Sequence, residues 1–463
     1  MSWHYPASAH PAAKPHATAF SVDGDSITWG ALTDATSKLA ASWSNELEAG
    51  TVLAFPAHRS LRSLLHLIAL IQLGVELGLT NPHATASELS VAVASLGATR
   101  VADEALLAKV EAAPEQSWSA ENARAWSLDR TLARVLTSGT TGTPKAIPLS
   151  CEQVISSTLA GASRLGALPD DIWHSPLPWH HVGGLMVIFR ALILGFHAEL
   201  SHHFDPAWSA ERLASGHVRL ASFVPVMLER VLDERSASGP NAFVGVRAIL
   251  VGGAAIPPAL LERAQAQALP IARSWGMSET SSQIATASPG DYTSPLAPLP
   301  FVELSVEQAR LVVSGPQVLG GRLVTSDRGN LGGRGVEILG RADDVFISGG
   351  ENIDPAEIEA ALRAHPDVRD ALVVGVSDSR WGQRPVAFVA STRPLDPLML
   401  EEFVGARLQR FKIPEHFFIV DDLPRNAMGK PCRLQARAQG ETWKLQQANA
   451  AAAADRGDDG AKA

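Results

Sequence analysis

The sequence is poor in the residues that mark several protein classes. It has only two cysteines in 463 residues, Cys151 and Cys432. That excludes a disulfide framework and an all-cysteine zinc site, and it fits a reducing cytoplasm. Basic residues are outnumbered, 39 lysines and arginines against 48 aspartates and glutamates, for a net charge of −9. A protein built mainly to hold nucleic acid needs a basic footprint that this balance does not supply. Small anionic substrates stay open, because they need only a local cluster of cations. No long uninterrupted apolar run is present. Residues 61–79 carry Arg62, His66, Gln72 and Glu76, and residues 185–196 carry Arg190. Both read as buried elements of a globular protein and not as membrane spans. The first twenty residues hold histidines and prolines where a signal peptide needs an apolar stretch. The 37 glycines and 30 prolines exclude collagen-like and low-complexity chains.

What is there suits a large folded protein. Apolar residues make up 46% of the chain and charged residues 19%, enough to bury a full core. Short β-like runs at Ala248–Val251, 311–313, 371–376 and 386–389 alternate with helical stretches at 150–165, 226–234 and 258–268. This alternation predicts an α/β architecture. The stretch 329–335, Gly-Asn-Leu-Gly-Gly-Arg-Gly, suggests a boundary, and a compact strand–turn–helix–strand pattern follows. Asp354, Pro355 and Glu357 predict a helix start with a capping box. The expected division is an N-terminal body at 1–340, a small α+β domain at 344–445 and a disordered tail at 446–463.

Residues 137–145 read Thr-Ser-Gly-Thr-Thr-Gly-Thr-Pro-Lys, between a predicted strand and a predicted helix. Gly139 and Gly142 let backbone approach an anion. Thr137, Ser138, Thr140 and Thr141 donate, and Lys145 adds charge. The spacing is not that of a Walker loop. The order of residues resembles the signature of the adenylate-forming enzymes: acyl-CoA synthetases, luciferases and amino-acid adenylation domains. Ala146 stands where that family usually has glycine.

Further strings follow in the family's order. Residues 251–254, Val-Gly-Gly-Ala, resemble the strand end that packs Gly253 and Ala254 against adenine. Residues 274–280, Ser-Trp-Gly-Met-Ser-Glu-Thr, resemble Tyr-Gly-x-Thr-Glu. Ser274, Trp275 and Gly276 would face the base, Ser278 a phosphate, and Glu279 offers a hard oxygen for magnesium. Asp327, in Thr-Ser-Asp, matches the carboxylate that takes both ribose hydroxyls, a sound geometry for a diol. Residues 340–344, Gly-Arg-Ala-Asp-Asp, resemble the interdomain motif. There Arg341 would reach the nucleotide and Asp343 would be the hinge on which the small domain moves. Gly349 and Gly350 match the loop that lines the pantetheine tunnel. Lys430, in Pro-Arg-Asn-Ala-Met-Gly-Lys, matches the lysine that bridges carboxylate and α-phosphate. The resemblance implies ATP, Mg2+ and coenzyme A, a two-step ligation through an acyl-adenylate, and a monomer or homodimer in the cytoplasm. The catalytic candidates are Lys430, Lys145, His181 and Asp343.

Three strings bear on the acid. Residues 177–184, Leu-Pro-Trp-His-His-Val-Gly-Gly, residues 224–228, Val-Pro-Val-Met-Leu, and residues 274–283 resemble segments of the o-succinylbenzoate–CoA ligases of menaquinone biosynthesis. His181 takes the place of the histidine that gates the acid pocket, beside Gly276. That diacid is activated at one carboxylate only, so the other needs a partner. Arg190, alone in an apolar run, is the candidate. A ligase for another aromatic or medium-chain acid, or an enzyme loading a carrier protein, stays open on these residues.

Overall fold

The computed structural model describes residues 2–3, 13–113, 126–137, 144–238, 243, 245–391, 393–426 and 429–459. The fold is α/β, with a large N-terminal body and a smaller C-terminal domain. The body contains an eight-stranded sheet in the order Ser282–Thr286, Ile271–Met277, Ala248–Val251, Leu220–Phe223, Ile172–Ser175, His197–Leu200, Thr18–Val22, Asp25–Thr28. Its inner strands are parallel, and each edge strand is antiparallel to its neighbour. A five-stranded sheet runs Arg100–Val101, Val52–Pro56, Glu76–Thr80, Thr131–Thr137, Lys145–Ser150, with only the last strand antiparallel. Parallel strands are covered on both faces, which is why Leu220–Phe223 and Ala248–Val251 are buried along their whole length.

Helices Leu61–Leu73, Cys151–Leu165 and Val182–Leu194 share one buried cluster with strands of both sheets. The two apolar stretches thus end inside the protein. Leu61–Leu73 stops at Gly74 and Val182–Leu194 at Gly195, both left-handed. Among the described residues no helix is long and apolar enough to cross a membrane. The helix foreseen at 258–268 ends at Ala266, before Ala268 turns to φ 51°.

The smaller domain is built on Val368–Asp378, Gly382–Ser391 and His416–Val420. Alternation along the first strand divides its core. Ala371 and Val373 pack with helices Pro355–Arg363 and Pro397–Gly405, while Leu372, Val374 and Val376 pack with Ala436 and Trp443 of helix Arg433–Asp459. Asp354 caps Pro355–Arg363 by accepting from Ala356 N at 3.1 Å. The expected capping box does not close, because the Glu357 carboxylate pairs with Lys412 at 2.7 Å. Backbone 446–459, expected as a tail, continues the last helix, in keeping with its alanine-rich sequence.

Candidate active site

In open parallel sheets, ligands bind beyond the C-terminal ends of the strands. The motif residues gather there. The hairpin Thr131–Thr137/Lys145–Ser150 carries the hydroxyl-rich loop at its tip, and Ser138, Gly139, Thr140, Thr141 and Gly142 lie outside the described residues. At its base Thr137 pairs with Lys145, and the Thr137 hydroxyl donates to the Lys145 carbonyl at 3.3 Å. Lys145 itself is exposed. Ser150 starts the next helix with a closed capping box to Gln153.

Strand Ala248–Val251 delivers Gly252, Gly253 and Ala254. Gly253 has φ +85°, and a Cβ on it would lie 3.2 Å from Lys430 Cε and 3.7 Å from Nζ. Lys430 is thus laid across the glycine from the other domain. Its loop is firmly tied. Lys430 N donates to Asn426 Oδ1 at 3.1 Å, Arg425 Nη1 to Gly429 O at 3.0 Å, and Arg425 Nη2 to Asp370 at 3.2 Å. The Lys430 ammonium has no carboxylate partner among the described residues. Burial, with the nearby Arg341 charge, pulls its pKa below that of a free lysine.

Strand Ile271–Met277 runs into the turn Ser278–Thr280. Ser281 and Ser282 then take φ of 50° and 99°, a strained reversal that presses Ser282 O onto Gly276. A Cβ at Gly276 would lie 1.7 Å from that oxygen, so no other residue fits. The reversal leaves Ser278 and Glu279 half-buried at the strand end. Ser274 shares a 3.0 Å hydrogen bond with Thr286. Trp275 packs among Ile284, Leu311, Val313 and Val336, and its indole N–H donates to Asp327 Oδ2 at 2.6 Å.

Asp327 faces Arg341 in the hairpin Asp327–Gly332/Gly335–Arg341, with Arg341 Nη1 at 3.6 Å from Oδ1. Burial raises the Asp327 pKa, opposed by the indole bond and Arg341. Arg341 is held by Asp343 at 2.6 Å and 2.8 Å. Burial works against the Asp343 charge, yet Arg341 holds its carboxyl below the usual range. The neighbouring Asp344 pairs with Arg433 at 2.7 Å.

His181 is the N-cap residue of Val182–Leu194, and its ring stands 4.1 Å from that of His180. Burial, then the charges of His180 and Lys430, push its pKa down to about 3, so the imidazole is neutral. Arg190 lies nine residues further along, or about 13 Å down the helix. It is 1% exposed. It donates to Gln283 Oε1 at 3.0 Å and Ser282 Oγ at 3.5 Å, and its guanidinium sits 5.3 Å from the Trp173 ring. Its Nε has no partner, and no carboxylate pairs with it among the described residues.

The structure therefore brings Lys430, Gly253, Arg341, Asp327, Trp275, Asp343 and His181 to one cleft, with Arg190 at the inner end of the His181 helix. Gly349 and Gly350 stand apart, as a two-glycine turn with φ 59° and 89° packed on Trp381 of the smaller domain. Sequence reasoning did not reach the Trp275–Asp327 bond or the Gln283 support of Arg190, since neither pair shares a motif.

Residues 7–333 match the AMP-binding enzyme family, and residues 357–430 match the AMP-binding enzyme C-terminal domain. A 2-succinylbenzoate–CoA ligase of Geobacillus kaustophilus is 33% identical, over 86% of this chain and 91% of that protein. One of Listeria monocytogenes is 31% identical, over 90% and 95%. The o-succinylbenzoate CoA synthetase of Bacillus subtilis, solved in complex with the acyl-adenylate intermediate OSB-AMP, superposes with a TM-score of 0.83. It is 28% identical, with 94% of this chain and 98% of that chain covered. With both of its parts matched and the motif residues converging on one cleft, the chain belongs to the AMP-binding enzyme family.

Proposed function

We propose that the protein is an ATP-dependent, AMP-forming acid–CoA ligase that converts o-succinylbenzoate to o-succinylbenzoyl-CoA in menaquinone biosynthesis. It acts as a monomer or homodimer in the cytoplasm. The observation that carries the choice of acid is Arg190: a fully buried guanidinium with an unpartnered Nε and no carboxylate partner among the described residues. A buried cation so placed suits an acid that keeps a second carboxylate after the first has reacted. The similarity to ligases of that name supports the same reading.

Thr137, Ser138, Gly139, Thr140, Thr141, Gly142 and Lys145 hold the phosphates of ATP. Gly253, Ala254, Ser274 and Gly276 surround the base, Ser278 donates to a phosphate, and Asp327 with Arg341 takes the ribose, while the buried Trp275 ring backs the pocket without facing the base. The Trp275 indole fixes the orientation of Asp327 before nucleotide arrives. Glu279 is a half-buried carboxylate with no cation partner among the described residues, which hold no group of three metal ligands. That fits magnesium, which takes one carboxylate from the protein and its other oxygens from phosphates and water. When bound, the ion spreads the phosphate charge.

In the first half-reaction a carboxylate oxygen of the succinyl arm bonds to the α-phosphorus, and the bond to pyrophosphate breaks. Lys430 places a positive charge where these two anions meet, in a half-buried cleft where that charge acts strongly. Neutral His181 closes the acid pocket without adding charge. In the second half-reaction the thiol sulfur of coenzyme A bonds to the acyl carbon, AMP leaves, and the thiol proton is released. Gly349 and Gly350 line the thiol path once the domain at 344–445 has turned against the body at 1–340. The pivot is Asp343, since Asp343 is tied to Arg341 on the body side and Asp344 to Arg433 within the smaller domain.

Pyrophosphate release over a panel of acids, with and without coenzyme A, tests the reading. The expected result is release with o-succinylbenzoate, and thioester only when coenzyme A is present. Good turnover of monoacids with none of o-succinylbenzoate overturns it.

A further inference from the structure

An ion pair joins the body to the smaller domain close to the pivot. Alternation along Asp327–Gly332 turns Asp327 into the cleft and the next side chain, Arg328, to the opposite face of the hairpin. There Arg328 Nη2 donates to Oδ2 of Asp354, a residue of the smaller domain. Arg328 stands opposite Gly340 on the neighbouring strand. Gly340 has φ +140°, and a Cβ on it would lie 2.9 Å from Ala356 Cβ, 3.7 Å from Arg328 Nη2 and 3.8 Å from Asp354 Oδ1. Glycine at 340 thus clears the path by which the arginine crosses the hairpin to the start of helix Pro355–Arg363.

The Asp354 carboxylate is divided between two tasks. Oδ1 accepts from Ala356 N at 3.1 Å and caps its own helix, while Oδ2 holds the guanidinium of the body. Among the described residues no other carboxylate pairs with Arg328, and its Nε is buried without a partner. The two side chains stay 25% and 22% exposed, so the pair is strong enough to bias a pose and weak enough to open. It closes in the pose that lays Lys430 across Gly253. In that pose a Cβ on Gly429 would also stand 2.5 Å from Val226 Cγ1, so the two loops are in close contact. Asp343 lies between Arg328 and Asp354 in the chain. On its body side Ala342 N donates to Ser326 O at 2.7 Å, which fixes the strand up to the pivot. A turn beyond Asp343 therefore carries Asp354 away and leaves Arg328 behind.

We propose that Arg328 and Asp354 are positioning residues for adenylation: their ion pair holds the smaller domain in the pose that lays Lys430 across Gly253, and it parts when that domain turns for thioester formation. The proposal rests on the ligase reading above, with its pivot at Asp343. The pair acts only through the populations of the two poses. It therefore sets how the enzyme divides its time between the half-reactions, without touching the chemistry of either.

The test times the two half-reactions separately in the full-length enzyme: pyrophosphate release without thiol, and thioester formation from preformed acyl-adenylate and coenzyme A. The variants are Arg328→Gln and Asp354→Asn; the asparagine keeps a capping oxygen for the helix. In each, the thioester rate divided by the adenylation rate should rise about fivefold, the loss of one partly exposed ion pair. The double variant should rise no further, because both singles remove the same contact. Arg328→Lys should restore most of the wild-type ratio. The KM for ATP should stay, since the pair lies on the face of the hairpin away from the Asp327 carboxylate. An unchanged ratio in both single variants overturns the proposal. So does a double variant that shows the product of two single effects, or a KM for ATP raised in step with the ratio, which would place the effect at Asp327. Pyrophosphate release by the wild type over the panel of acids reads the ligase proposal separately, and an enzyme that activates another acid tests the pair with that acid's adenylate.

Discussion

Replacing Arg190 with methionine separates a binding arginine from a structural one, because the two roles move stability in opposite directions. Burial pushes this guanidinium from its ordinary value down to about 10. Holding it charged therefore costs the fold about 3 kcal/mol at neutral pH. The sign follows from the lowered value: the penalty is complete below about 10 and fades only as pH climbs from there toward the ordinary guanidinium value. Methionine keeps most of the volume and removes the charge, at the loss of the Gln283 hydrogen bond, about 1–1.5 kcal/mol. The variant without ligand should thus be more stable by about 1–2 kcal/mol, read as a raised urea midpoint with an unchanged slope. Its KM for o-succinylbenzoate should rise about 100-fold, the loss of a desolvated guanidinium–carboxylate pair. The KM for ATP should stay. 3-Benzoylpropionate, the same keto acid without the ring carboxylate, should lose little. A variant that is less stable and binds the diacid as before refutes the reasoning, and makes Arg190 a core residue.

Lys430→Ala should slow pyrophosphate release by about 100-fold or more, while thioester formation from preformed acyl-adenylate stays within about tenfold. In the wild type the alkaline limb of the adenylation rate should fall below the range of free lysine, because burial lowers this ammonium, and Lys430→Ala should lack that limb. Trp275→Phe removes the donor to a buried Asp327 and should raise the KM for ATP about fivefold with little change for the acid, measured by varying each alone. Away from the cleft, His174 and Arg212 hold the Glu199 carboxyl at about 2 against the effect of its burial. Its contribution, up to about 3 kcal/mol, is present above pH 4.5 and lost as pH falls toward 2. Glu199→Gln should therefore lower the urea midpoint at pH 7, and the gap to wild type should close on acidification.

Legibility in the sequence followed the range of the interactions. The strand Ala248–Val251 and the helix from Ser150 were readable because apolar runs and caps act within a few residues. The motif order placed Gly253 and Lys430 on the same reaction, although they lie 177 residues apart, yet only the fold puts one across the other. Glu357 shows how local reasoning fails. The capping spacing was correct, but Lys412, 55 residues away, offered the carboxylate a cation at 2.7 Å. Trp275 shows it from another side. The string suggests an aromatic face, while the strand direction buries the ring and aims its N–H at Asp327.

The acidic balance of the chain gives the cleft its meaning. With 48 carboxylates against 39 lysines and arginines, a basic group that needs a partner has many to draw on. Arg341 has drawn on two, Asp327 and Asp343. Lys430 and Arg190 have drawn on none among the described residues, although both are at least half-buried. An unpaired cation out of water costs stability, and folding alone offers no reason to keep two beside one cleft. Each stands where the proposed reaction brings an anion: Lys430 where carboxylate meets α-phosphate, Arg190 at the inner end of the acid pocket. The proposed ribose partner Asp327, by contrast, is a carboxylate that already has its arginine and its indole. In the proposed reaction the distribution of paired and unpaired charge thus separates the neutral sugar from the two places where substrate anions are held.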